Sequence, residues 1–216
     1  MSGKKTPQRT RPRHFSMVRD FHLADIITLL NGICGSLSIF SNMKYILTRD
    51  PHQLWLAMAF IPFGFAFDVL DGRVARWRKK SSLLGQELDS LADLVSFGVA
   101  PAVCAFAVGM RTWADTLVLT SFIACGIARL ARFNATVAEA PKDQTGKIKY
   151  FEGVPIPCNM FLVGMLAYFV RRGWTEDRLP GGVIEWVPGF EFHAMVLIYG
   201  LMGTMMISKT LRIPKF

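Results

Sequence analysis

Six apolar runs, each set off from the next by a polar stretch, constrain this chain more than any other feature. They cover roughly Ile26 to Leu47, Leu54 to Arg76, Leu84 to Met110, Ala114 to Ala135, Pro157 to Tyr168 and Phe192 to Ile207. A bilayer core about 30 Å thick takes about 20 apolar residues in helical form to cross, so the fifth run is short for a full span. Hydrophobic residues make up 51% of the 216, with 17 Phe and 11 Met, which argues against a soluble globule with one core. The expected fold is all-α: a polytopic membrane protein, a bundle of about six transmembrane helices behind an N-terminal juxtamembrane segment. Residues 1–20 read as a basic cytosolic segment and 21–216 as the membrane domain.

Charge placement orients the bundle, because Lys and Arg collect on the cytoplasmic side of short loops. With six spans and a cytosolic N-terminus, all but six of the 25 basic residues fall inside; the exceptions are Lys44, Arg49, Arg111, Arg171, Arg172 and Arg178. Both termini then face the cytosol. The opening residues, with Lys4, Lys5, Arg9, Arg11, Arg13 and Arg19, lack a small-residue cleavage site, so the first run is expected to be a retained helix. They suit anionic headgroups or a solvated tail equally. Asn134-Ala135-Thr136 matches a glycosylation sequon that this orientation keeps on the unmodified side. The stretch Ala138 to Pro157 reads as the one substantial cytosolic loop.

Against this background four acids stand out. Asp68 and Asp71 close the second run, and Asp89 and Asp93 open the third. Each carboxylate at membrane depth costs about 2.5–3.5 kcal/mol on insertion scales, so something positive must meet them. Spaced i,i+3 and i,i+4, each pair lies on one helix face, and an antiparallel turn between the runs would bring the pairs together. Oxygen donors without His or Cys suit Mg²⁺ or Mn²⁺, and two such ions suit phosphoryl chemistry. Gly72 and Ala75 leave the second helix bare beside the acids, Gly85 thins the third, and Arg76 offers a guanidinium to a diphosphate.

Asp68-x-x-Asp71-Gly72-x-x-Ala75-Arg76, eight residues, then Gly85-x-x-x-Asp89-x-x-x-Asp93 matches every fixed position of the signature of the CDP-alcohol phosphatidyltransferases, and the chain resembles that family from about Phe15 to Pro214. Asp89 to Pro101, Arg129-Leu-Ala-Arg-Phe-Asn134 and Phe151-Glu-Gly-Val-Pro-Ile-Pro157 look like its serine-using branch, the phosphatidylserine synthases, in their fungal form. The resemblance implies a homodimeric six-helix bundle in the endoplasmic reticulum membrane, its site at the cytosolic surface. It implies transfer of a phosphatidyl group from CDP-diacylglycerol to L-serine with release of CMP. It further implies two Mn²⁺ or Mg²⁺ ions per site on Asp68, Asp71, Asp89 and Asp93, with Asp93 also the base. Gly72, Ala75, Arg76, Gly85 and Asn31 would contact CDP-diacylglycerol, and Arg129, Arg132, Phe133 and Asn134 the serine.

Alternatives stay open at several positions. Asn31 could instead bond a neighbouring helix, and Arg129 with Arg132 could be positive-inside anchors. A sister enzyme using inositol or glycerol 3-phosphate shares the same signature. A cation transporter or channel would need acids through the membrane depth rather than at one end. Cys34, Cys104, Cys125 and Cys158 read as small buried hydrophobes, and His14, His22, His52 and His193 as scattered, so no zinc site is expected. Nothing in the sequence suggests a nucleic-acid partner.

Overall fold

The structure is a computed structural model, and it describes residues 23–78, 83–139, 150–187, 189–208 and 212–214. Helix α1 spans Leu23–Thr48 and α2 spans Pro51–Arg78. The third rod is α3 (Leu83–Asp93), a π-helical segment (Leu94–Val99) and α4 (Ala100–Val108) in series. Then come α5 (Trp113–Glu139), a 3-10 turn (Ile156–Asn159) leading into α6 (Met160–Arg171), and α7 (Val196–Ile207). Four of these rods are long and apolar enough to cross a membrane; the fifth, Ile156–Arg171, and the sixth, Val196–Ile207, are shorter.

Local chemistry sets the helix ends. Asp50 Oδ1 accepts from the His52 N–H at 3.0 Å, and Pro51 opens α2 where its missing N–H costs nothing. At α5 the Thr112 Oγ1 accepts from Asp115 N–H and Asp115 Oδ2 accepts from Thr112 N–H, both at 3.1 Å, a reciprocal cap. The α1–α2 turn carries Arg49 at φ 58°. Arg49 and Arg111 share the Glu176 carboxylate, and Arg111 also donates to the Phe106 and Ala107 carbonyls. This pins together the bundle end opposite the aspartates.

Two short antiparallel ribbons close the fold. Strand β1 (Tyr150–Glu152) pairs with β4 (Arg212–Pro214), and β2 (Val183–Val187) with β3 (Phe190–His193). The second ribbon corrects the expected sixth span: Phe192 and His193 are strand residues, and α7 starts only at Val196. Gly189, at φ 85° just before β3, takes a left-handed backbone that helps reverse the chain between β2 and β3, so the helix begins only after the hairpin. Strand β1 lies within the expected loop after Ala138, of which residues 140–149 are outside the described set, and it pairs with β4 beyond the last helix.

Small residues let the rods approach closely enough to share polar groups. A Cβ on Gly35 of α1 would lie 2.6 Å from Ser96 Oγ and 2.8 Å from Ser96 Cα, and one on Gly64 of α2 would lie 2.9 Å from Asn31 Oδ1. The core between the rods holds Phe97, Cys104, Val108, Phe122, Leu162, Leu166 and Tyr199. Cys34 and Cys104 are buried as expected, with Asn42 Nδ2 donating to Cys104 Sγ at 3.1 Å, whereas Cys158 is exposed. His193 is not isolated: its Nδ1 lies 2.6 Å from Asp115 Oδ2, and its N–H donates to Asp115 Oδ1 at 2.9 Å.

Candidate active site

The C-terminal end of α2 and the start of α3 bring the sequence-predicted acids together. Asp68, Asp71 and Asp89 each present a carboxylate oxygen, and these three oxygens lie within 4.8 Å of one another. At that separation two unit charges repel by roughly 3.5 kcal/mol for an effective dielectric of about 20. Among the described residues no Lys or Arg forms an ion pair with any of the four aspartates. Asp89 Oδ1 is buried with no hydrogen-bond partner there. An all-oxygen cluster with an unpartnered buried acceptor fits a hard divalent cation.

Asp93 stands beside the trio rather than within it. It is buried, its charge couples to those of Asp68, Asp89 and Asp71, and its Oδ1 accepts from Asn31 Nδ2 at 3.1 Å. Asn31 is wholly buried, and its own carbonyl accepts from Ser96 Oγ at 2.8 Å. The polar residue inside the first apolar run thus reaches an acid of the site, as a bond between neighbouring helices.

Two participants escaped the sequence reading. Thr28 Oγ1 donates to Asp71 Oδ2 at 2.6 Å. Asp25 is buried, and its charge couples to Asp71. A signal for both existed: Asp25, Thr28 and Asn31 are spaced by three residues, a polar stripe on one face of an otherwise apolar helix segment.

The remaining predicted residues divide. Arg129 is 8% exposed, its Nε has no hydrogen-bond partner among the described residues, and its charge couples first to Asp93, then to Cys158 and Arg132. Arg132 Nη1 donates to the Ile207 carbonyl at 3.2 Å. Asn134 is engaged on α3: its Oδ1 accepts from Ser90 Oγ at 3.1 Å and Gln86 Nε2 at 3.4 Å, and its Nδ2 donates to Glu87 Oε2 at 3.2 Å. Phe133 is half-buried on the same turn. Gly72 and Gly85 lie on α2 and α3 beside the acids; Ala75 and Arg76 continue α2, with side chains outside the described set.

The family model for CDP-alcohol phosphatidyltransferases matches residues 21–205. The chain is 55% identical over 203 residues to the CDP-diacylglycerol–serine O-phosphatidyltransferase of Saccharomyces cerevisiae, covering 94% of this chain and 74% of that protein. It is 36% identical over 188 residues to the protein of that name from Mycobacterium leprae, covering 83% of this chain and 58% of the relative. The Bacillus subtilis relative of that name is 37% identical over 134 residues, covering 61% of this chain and 67% of that protein. This chain belongs to the CDP-alcohol phosphatidyltransferase family, whose members are in general metal-dependent.

Proposed function

We propose that this protein is an integral membrane enzyme that transfers the phosphatidyl group of CDP-diacylglycerol to the hydroxyl of L-serine, giving phosphatidylserine and CMP. The observation that carries this reading is the Asp68–Asp71–Asp89 cluster with Asp93 and buried Arg129 alongside, in a chain 55% identical to the yeast serine enzyme. The serine oxygen forms a bond to the lipid-bearing phosphorus, the bond from that phosphorus to the CMP oxygen breaks, and the serine proton leaves to a base.

Asp68, Asp71 and Asp89 would hold the metal, two Mn²⁺ or Mg²⁺ ions, with Asp93 completing the set. Such ions, when bound, polarise a phosphoryl group and stabilise charge on the leaving phosphate. Asp93 accepts the serine proton, and Asn31 fixes its carboxylate through Oδ1 while the second oxygen stays available. Gly72, Ala75, Arg76 and Gly85 line the CDP moiety. Arg129 pairs with the serine carboxylate, a match of two planar groups, while Arg132, Phe133 and Asn134 form the adjacent wall.

The enzyme works as a homodimer in the endoplasmic reticulum membrane, with site and termini facing the cytosol; a glycan on Asn134 would overturn that orientation. Apart from Asp115, the acids of the crossing helices gather at one end of the bundle, which supports a surface enzyme over a permeation path. Purified protein given CDP-diacylglycerol and, separately, radiolabelled serine, inositol or glycerol 3-phosphate tests the acceptor. Serine-dependent CMP release is expected; release with inositol but not serine rejects the reading.

A further inference from the structure

We propose that Asn159 is a positioning residue for Asp93, acting through the π-helical segment that follows it; this rests on the reading of Asp93 as the group that takes the serine proton. The cause begins at Pro101. In an α-helix the carbonyl of residue 97 accepts from the N–H of residue 101, and proline has none. The rod changes pitch immediately after Asp93: Leu94–Val99 run as a π-helix, and the Ala100 N–H bonds to the Val95 carbonyl, five residues back.

A π turn holds more residues than an α turn, so side chains before and after it are rotated out of the phase a continuous α-helix would give. Asp89 and Asp93, before the change, face the acid cluster. Phe97, Ala100, Cys104 and Val108, within and after it, are wholly buried in the core. The pitch change lets one rod serve both a polar site and an apolar interior.

The Phe97 carbonyl is met from outside the rod, by Asn159 Nδ2 at 2.9 Å. Asn159 is the last residue of the 3-10 turn before α6 and is wholly buried. Its Oδ1 has no hydrogen-bond partner among the described residues, so the amide is an expensive choice for mere packing. On the opposite side Ser96 Oγ donates to the carbonyl of Asn31, the same residue whose side chain holds Asp93. The π segment is thus pinned to α1 through the residue that orients Asp93, and to the 3-10 turn through Asn159.

The test uses the full chain purified in detergent, assayed with CDP-diacylglycerol, serine and Mn²⁺, as Asn159→Ala, Pro101→Ala, the double variant, and Asp93→Asn. Asn159→Ala should lower kcat about tenfold or more while KM for serine and the Mn²⁺ activation constant move less than about twofold. Adding Pro101→Ala supplies an N–H to the Phe97 carbonyl in α geometry, so the double variant should regain thermal stability without regaining kcat. Pro101→Ala alone should lower kcat at full stability, and it decides the matter if Asn159→Ala does not fold. Unchanged kcat in Asn159→Ala or in Pro101→Ala, or recovery of kcat in the double variant, overturns the proposal. Asp93→Asn separates the two levels: full activity there rejects the role of Asp93 itself, whereas its loss beside normal kcat in the other variants rejects only the role of Asn159.

Discussion

The Thr28 hydroxyl and Asp71 Oδ2, 43 positions apart in the chain, lie 2.6 Å apart and join α1 to the acid cluster. Groups that orient metal ligands from behind typically govern metal affinity or activity by about 10–100-fold. Thr28→Val should raise the Mn²⁺ concentration needed for half-maximal activity by that order, and Thr28→Ser should stay near wild type. Metal activation curves at saturating serine and CDP-diacylglycerol check this; superimposable curves for Val and wild type refute it.

Metal removal should weaken the fold as well as stop turnover. A cation that binds only the folded state at about 100 times its Kd adds about 2.7 kcal/mol of stability. Wild-type protein should therefore melt at a higher temperature in Mn²⁺ than in chelator, and Asp89→Asn should show neither that upshift nor measurable CMP release. In chelator the variant should melt no lower than wild type, because one of three mutually repelling carboxylates is gone. An undiminished Mn²⁺ upshift in Asp89→Asn would place the ion elsewhere.

Gly35 and Gly164 make an internal contrast. A Cβ on Gly35 meets Ser96 backbone at 2.8 Å and must push α1 away from the π segment, whereas a Cβ on Gly164 meets nothing within 4 Å. Gly35→Ala should cost about 1–3 kcal/mol and lower activity, since Asn31 rides on the same helix. Gly164→Ala should change stability by less than about 1 kcal/mol. Thermal melting in one detergent ranks the two, and equal melting temperatures would contradict the packing.

Asp115 should matter for folding but not for chemistry. It is wholly buried, completes the α5 cap and receives both the backbone N–H and the ring Nδ1 of His193. Asp115→Ala leaves those groups without a partner in the interior, a loss of about 1–3 kcal/mol for each. Yield and melting temperature should fall, while kcat per folded molecule stays at the wild-type value. A kcat loss in properly folded protein would tie this end of the bundle to the site.

The long rods and the acid cluster were legible because both signals are local. Runs of apolar residues and carboxylates at i,i+3 and i,i+4 carry their meaning within one or two turns. The sixth span misled for the opposite reason: Phe192, Ala194 and Met195 extend the apolar run N-terminally, but Phe192 and His193 have strand partners, Ile184 and Val183, across a turn. Asn31 stood out as an amide inside an apolar run, yet its partner Asp93, 62 residues on, depended on Gly35 and Gly64 letting three rods converge. Asn134 resembled a substrate contact, and the structure engages it with Gln86, Glu87 and Ser90, a pairing that no single-helix pattern announces.

The two short helices make lipid composition a factor in folding. The 12 residues of α7 rise about 18 Å and the stretch Ile156–Arg171 about 24 Å, against some 30 Å of hydrocarbon. Beside each of them the bilayer must thin to match, a mismatch that costs fractions of a kcal/mol per ångström. Acyl length in the host membrane therefore loads these two helices, while the four longer rods have reach to spare and can tilt to absorb the change.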